Sequence, residues 1–224
     1  MLVCLFDIDG TLLHSSGAGR LAMDEALADL FGVTSPIQQD SISGRTDRSI
    51  ATDQFRKHGI ADTQENFDRF IDAYIGRLPD SMRKNNGTLC PGIDRLVAAL
   101  LERPDTALGL LTGNVQRGAR IKLGHCGIDQ HFAFGAYGDV HRDRDDVARE
   151  AFGHVQSRFG DKARPDDIWV LGDTPWDVRC AKAVGVRSIA VATGIFSMEQ
   201  LAAEQPDLLV PDFSDVAALW DRWG

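Results

Sequence analysis

A chain of 224 residues, 43% of them hydrophobic, has room for one α/β core of ordinary size and a small accessory unit, and none for a third domain. Its 33 acidic residues outnumber 24 basic ones, for a formal net charge of −9, which opposes a nucleic-acid or anionic-membrane surface because such surfaces need clustered Lys and Arg. The apolar N-terminus is interrupted at Asp7 and no stretch approaches the ~18 apolar residues of a spanning helix, so the expectation is a soluble, cytoplasmic protein.

The segment Leu2 to Thr11 reads as an apolar strand that runs into Asp7, Asp9, Gly10 and Thr11. Two acids at the carboxyl end of a buried strand cost solvation energy and repel each other, so they persist there mainly where a metal or a reaction uses them. A strand followed by a polar Asp-Gly turn is the plain alternative. A crossover helix and a parallel strand would normally follow within about 30 residues, yet the next strong strand is Ala107 to Leu111, so roughly 70 residues are spare. They are patterned as helices. Met23, Leu27, Leu30 and Phe31 fall at helical spacing, Arg45 to His58 can form a second helix ended by Gly59, and Phe67, Phe70, Ile71, Tyr74, Ile75 and Leu78 cover one face of a third. Residues 15–85 therefore read as a helical cap inserted between core segments 1–14 and 86–224.

From Pro91 helices and strands alternate: a helix to Arg103, a helix over Val115 to His125, a short strand near Phe132 to Gly135, and a helix from about Asp143 to Phe159. The strand Ile168 to Leu171 comes next, then a helix opened by Thr174 and Pro175 and stopped near Gly185, then strands over Val186 to Val191 and Leu208 to Val210. Near-continuous apolar strands in such alternation predict a doubly wound parallel sheet with helices on both faces. The four cysteines, Cys4, Cys90, Cys126 and Cys180, show no C-x-x-C spacing and read as free thiols, mostly buried.

Three strands end in polar groups suited to a phosphate and a divalent cation: DIDGT after the first, TGN at Thr112 to Asn114, and GDTPWD at Gly172 to Asp177. Ligands of open parallel sheets bind outside the carboxyl ends of the strands, so the three clusters should converge. In these motifs and their order the chain resembles the haloacid dehalogenase superfamily of aspartyl phosphotransferases, most closely its phosphoglycolate phosphatase branch with a helical cap.

The resemblance implies a Rossmann-like core and Mg²⁺-dependent hydrolysis of a small phosphorylated metabolite. Asp7 would attack phosphorus, and Asp9 would protonate the leaving oxygen and then activate water. Mg²⁺ suits Asp7 and Asp173, with the Asp9 carbonyl as a third ligand and Asp177 holding a coordinated water. Thr112 and the amides of Gly113 and Asn114 would bind phosphoryl oxygens. The family also uses a cation, usually Lys followed by Pro, which this chain lacks; GDVHRDRDD offers Arg142 and Arg144, and Arg144, opening a helix, is the choice. The polar loop Ser43 to Asp47 either reaches substrate through Arg45 or caps the helix that follows through Thr46 or Asp47. His14 reads as structural.

The acid at Asp9 disfavours dehalogenation and phosphonate hydrolysis. Gly19 stands where sugar-phosphate mutases of the superfamily carry a histidine, which disfavours that alternative. A non-catalytic phosphate-binding scaffold should have lost Asp7, Asp9 or Asp173, and a receiver domain would lack the insertion.

Overall fold

The computed structural model describes residues 1–38 and 42–223, so residues 39–41 of the helical stretch lie outside the described residues. Strand β1 (Leu2–Phe6) is the centre of the molecule. Val3 and Leu5 project into one apolar layer and Cys4 and Phe6 into the other, which is why the strand reads as an unbroken apolar run. After it, Gly10 at φ 85° lets its N–H reach the carbonyl of Leu13, turning the chain within three residues. Strands β2 (Leu13–His14) and β3 (Thr88–Leu89) pair antiparallel, so the chain leaves the core and returns to it side by side.

Between them lie α1 (Ala18–Phe31), α2 (Asp47–Lys57) and α3 (Gln64–Lys84). Each apolar face predicts its burial: Phe67, Phe70, Ile71, Tyr74, Ile75 and Leu78 are all buried. α1 packs on α3, and Phe55 of α2 meets Phe31 and Phe70 edge-on at 5.5 and 5.9 Å.

The rest of the chain follows the predicted alternation: α4 (Ile93–Glu102), β4 (Thr106–Leu111), α5 (Gln116–His125), β5 (Phe134–Ala136), α6 (Arg144–Phe159), β6 (Ile168–Gly172), α7 (Pro175–Val184) and β7 (Arg187–Val191). Then come α8 (Met198–Ala203), β8 (Leu208–Val210) and α9 (Val216–Trp223). The six strands are all parallel in the order β5-β4-β1-β6-β7-β8. Chain order reverses at β1, so a crevice opens at its carboxyl end between β4 and β6. α3 packs on α5, which sets the inserted helices over that crevice. The four cysteines are free, and all but Cys126 are fully buried. No described helix is long and apolar enough to cross a membrane.

Candidate active site

Asp7 leaves the end of β1 with its N–H bonded to the Leu171 carbonyl of β6, which fixes its backbone. Its carboxylate meets Arg144 Nη2 at 3.0 Å, and the same guanidinium reaches Asp177 Oδ1 at 2.5 Å. Arg144 sits at the first position of α6, capped by Asp143, and points back under the sheet end. Burial disfavours its charge, but Asp177 and Asp7 outweigh that and hold it ionised. Arg142, two residues earlier, faces the surface and pairs with Asp62 at 2.7 Å.

Asp177 Oδ2 accepts from the N–H and hydroxyl of Thr174 at 3.0 and 2.7 Å, closing the capping box of α7. Asp173 receives the Thr11 hydroxyl at 3.1 Å and lies against Gly10 and Gly194, where any side chain would overlap it. Asp7, Asp173 and Asp177 each bring an oxygen within 4.8 Å of the others. Burial, then Asp7 and Asp177, push Asp173 well above the carboxylate range, and burial with Asp177 and Asp9 pushes Asp7 up to about 6 against the pull of Arg144. Three buried carboxylates thus face one guanidinium. The all-oxygen donor set and the unmet negative charge fit a hard divalent cation such as Mg²⁺.

Asp9 points to the other side. Its Oδ2 accepts Lys122 Nζ at 2.5 Å and Asn114 Nδ2 at 3.0 Å, and its Oδ1 accepts the Ser15 hydroxyl at 2.8 Å. Burial would raise it, yet Lys122, Asn114 and Ser15 together hold its carboxyl below the usual range. Thr112 Oγ1 accepts from the Asn114 side chain at 2.9 Å, so the TGN turn is tied to Asp9. Gly113 gives its carbonyl to Asp47 N–H at 2.7 Å, and a Cβ there would collide with the Arg45 backbone. The Ser43 to Asp47 loop caps the helix that follows it, as one of its two readings expected. Thr46 caps α2 through Ser49 N–H at 3.1 Å, while Arg45 lines the cavity and pairs with Asp53 at 2.7 Å. His14 also lines the cavity.

The sequence assigns no role to Lys122 or to the Thr11 side chain, and it offers Asp47 only as a cap of its own helix. Lys122 is buried on α5, and Asp47 accepts the Val115 N–H at 2.8 Å, capping α5 from across the crevice. A signal for Lys122 exists in the sequence: it interrupts the apolar stripe Val115, Ala119, Leu123 of that helix. Asp7, Asp9, Asp47, Asn114, Lys122, Arg144 and Asp173 border one cavity of about 470 Å³ between the sheet end and the inserted helices.

Residues 1–185 match the family model of haloacid dehalogenase-like hydrolases, and the chain belongs to that family. Within it, the chain is a phosphoric monoester hydrolase: it is similar over nearly its whole length to phosphatases. It is 28% identical to a phosphoglycolate phosphatase of Synechococcus elongatus over 96% of this chain and 95% of that one. Identity to the phosphoglycolate phosphatase of Pectobacterium atrosepticum is 25%, over 96% and 90%. Among solved structures, CbbY from Rhodobacter sphaeroides in complex with phosphate superposes with a TM-score of 0.76 at 22% identity, over 96% of both chains, a likeness of fold.

Proposed function

We propose that the protein is a Mg²⁺-dependent phosphatase of small phosphorylated metabolites that works through an aspartyl phosphate on Asp7. The observation that carries this is the pairing of Asp7 with Arg144 at 3.0 Å on the wall of the cavity, with Asp9 beside it under a separate set of partners. Asp7 attacks phosphorus in line with the departing alcohol, and Asp9, which Lys122 holds as the anion before the reaction, takes up a proton from solvent and passes it to that alcohol. Asp9 then takes a proton from the water that cleaves the aspartyl phosphate. Arg144 offsets the charge gathered on the phosphoryl oxygens, and Thr112 with the amides of Gly113 and Asn114 orients them.

Asp7, Asp173 and the Asp9 carbonyl would hold Mg²⁺, with Asp177 bordering the ion while it holds Arg144. When bound, the ion lets an anionic nucleophile approach an anionic substrate and polarises the phosphoryl group. The helices α1 to α3 act as a cap that excludes bulk water and large substrates, with Arg45 reaching down toward the bound ester.

The relatives named phosphoglycolate phosphatase, and a CbbY mutant in complex with xylulose-(1,5)bisphosphate, support a small, anionic, phosphorylated substrate. The test is a panel of phosphorylated metabolites with Mg²⁺, scored for phosphate release and for isomerised product. Release without isomerisation is expected. Silence across the panel, or full release in excess chelator, would sink the proposal, and an isomerised product would turn it into a mutase.

A further inference from the structure

The chemistry at Asp7 leaves one polar recess of the cavity unused. Tyr74 of α3 is 0% exposed, and its hydroxyl has no hydrogen-bond partner. Lys122 Nζ gives one N–H to Asp9 and one to Asn114 Oδ1 at 2.6 Å, which leaves its third uncommitted. Two glycines keep the space around these groups open. A Cβ on Gly19 of α1 would lie 3.3 Å from Lys122 Nζ and 3.7 Å from the Tyr74 hydroxyl, and one on Gly118 of α5 would lie 3.4 Å from that hydroxyl. Gly19, Tyr74 and Lys122 line the same cavity as Asp7 and Asp9. A buried hydroxyl without a partner is costly, and this one and the Lys122 ammonium both lie within 4 Å of the space a Gly19 Cβ would fill, where a ligand oxygen can accept from both.

We propose that this recess is a leaving-group subsite, in which a hydroxyl oxygen of the substrate's alcohol portion binds between Tyr74 Oη and Lys122 Nζ. The proposal rests on the phosphatase reading and adds the substrate class: a phosphate ester of a polyol or sugar. Charge selects a hydroxyl over a carboxylate. Asp9 already meets the Lys122 ammonium, and Asp47, a second buried carboxylate on the cavity wall, lies within the field of that same ammonium. A further anion would face two carboxylates sharing one cation, whereas a hydroxyl brings no charge and both donates and accepts.

The experiment compares glycerol phosphate, phenyl phosphate and phosphoglycolate on the wild-type protein, Tyr74→Phe and Gly19→Ala, with Mg²⁺ and a melting curve for each. The wild type should prefer glycerol phosphate to phosphoglycolate. In Tyr74→Phe the ratio of kcat/KM for glycerol phosphate to that for phenyl phosphate should fall about five- to tenfold, mostly through KM, as expected for one lost hydrogen bond. Gly19→Ala, which narrows the recess and leaves the phenol in place, should move the ratio the same way. An unchanged ratio in Tyr74→Phe with a raised melting temperature would overturn the subsite and leave the hydroxyl an orphan of packing. A preference for phosphoglycolate that Tyr74→Phe abolishes would overturn the hydroxyl assignment in favour of a carboxylate. If the wild type releases phosphate from none of the three, the phosphatase reading itself falls, and the subsite with it.

Discussion

Asp7 and Asp9 are two residues apart, yet they lie in opposite electrostatic surroundings. Asp7 faces the sheet end, where Asp173 and Asp177 crowd it and Arg144 is the nearby cation; its carboxyl is pushed up to about 6. Asp9 faces the inserted helices, where Lys122, Asn114 and Ser15 surround it and hold its carboxyl down. β1 ends at Phe6, so Asp7 and Asp9 stand in the turn beyond it and are not held to the one face that residues i and i+2 of a strand share. One side is short of positive charge and suits an added cation. The other carries its own ammonium. The proposed roles need the reverse charge states: an added cation would draw Asp7 back to its anion, and Asp9 must take up a proton before it can give one.

The hardest way to break this contrast is at the nucleophile. Asp7→Asn should lower phosphate release by at least about three orders of magnitude, because the amide fills the strand end without attacking phosphorus. Circular dichroism should show the variant folded; substantial turnover by that folded variant would rule out the covalent step. Chelation of Mg²⁺ should silence the wild type on the same scale, since it leaves the acids around Asp173 without their counter-charge.

The next effect in size separates two arginines. Arg144→Ala removes a charge-assisted contact to Asp7, and kcat should fall by about two orders of magnitude. Arg142→Ala removes an exposed pair with Asp62 and should stay near wild type, because such pairs contribute little. The reverse order, read from steady-state rates, would move the cation of this site by two residues.

The arginine pair also shows what the sequence discloses. Arg144 is legible because it opens a helix at a predictable place after β5, and the strand ends are legible because β1, β4 and β6 are continuous apolar runs stopped by small polar residues. Lys122 shows only as a break in the apolar stripe of α5, and its role becomes plain once α3 is known to cover that face. Asp47 reads as part of its own helix start, whereas its side chain caps a helix 68 residues further along, a pairing that only the tertiary fold creates. β2 and β3, two residues each, are too short for any periodicity, and α8 is marked chiefly by the Ser197 to Gln200 capping box.

Lys122→Met sharpens the comparison from the other side. It strips Asp9 of its ammonium and should destabilise the fold by about 2 kcal/mol, less than a fully buried pair would, because the Asp9 side chain is 36% exposed. A double-mutant cycle with Asp9→Asn, read by denaturant melts, should show a coupling above about 1 kcal/mol. Additive losses would mean that the short contact holds no energy of its own.

The smallest expected effect belongs to Asp47. Its carboxyl, buried by the loop that docks on α5, is pushed up to about 6 by burial, although Lys122 and the Val115 N–H pull it down. An acid whose folded pKa lies above its unfolded value of about 3.9 destabilises the fold progressively as pH rises between the two, because the unfolded chain ionises first. Asp47→Asn keeps an oxygen for the Val115 N–H and removes the ionisation, so its stability relative to wild type should climb with pH. From pH 5, about one unit below the folded pKa, to pH 7.5 the gain should be about 1.4 kcal/mol. Asp7 and Asp173 titrate in both proteins and cancel in the difference. Denaturant melts at pH 5 and 7.5 with constant Mg²⁺ measure it directly. A difference that is flat, or that falls with pH, would show that Lys122 and the α5 N-terminus already stabilise the Asp47 anion fully, and that the docked loop carries no electrostatic penalty.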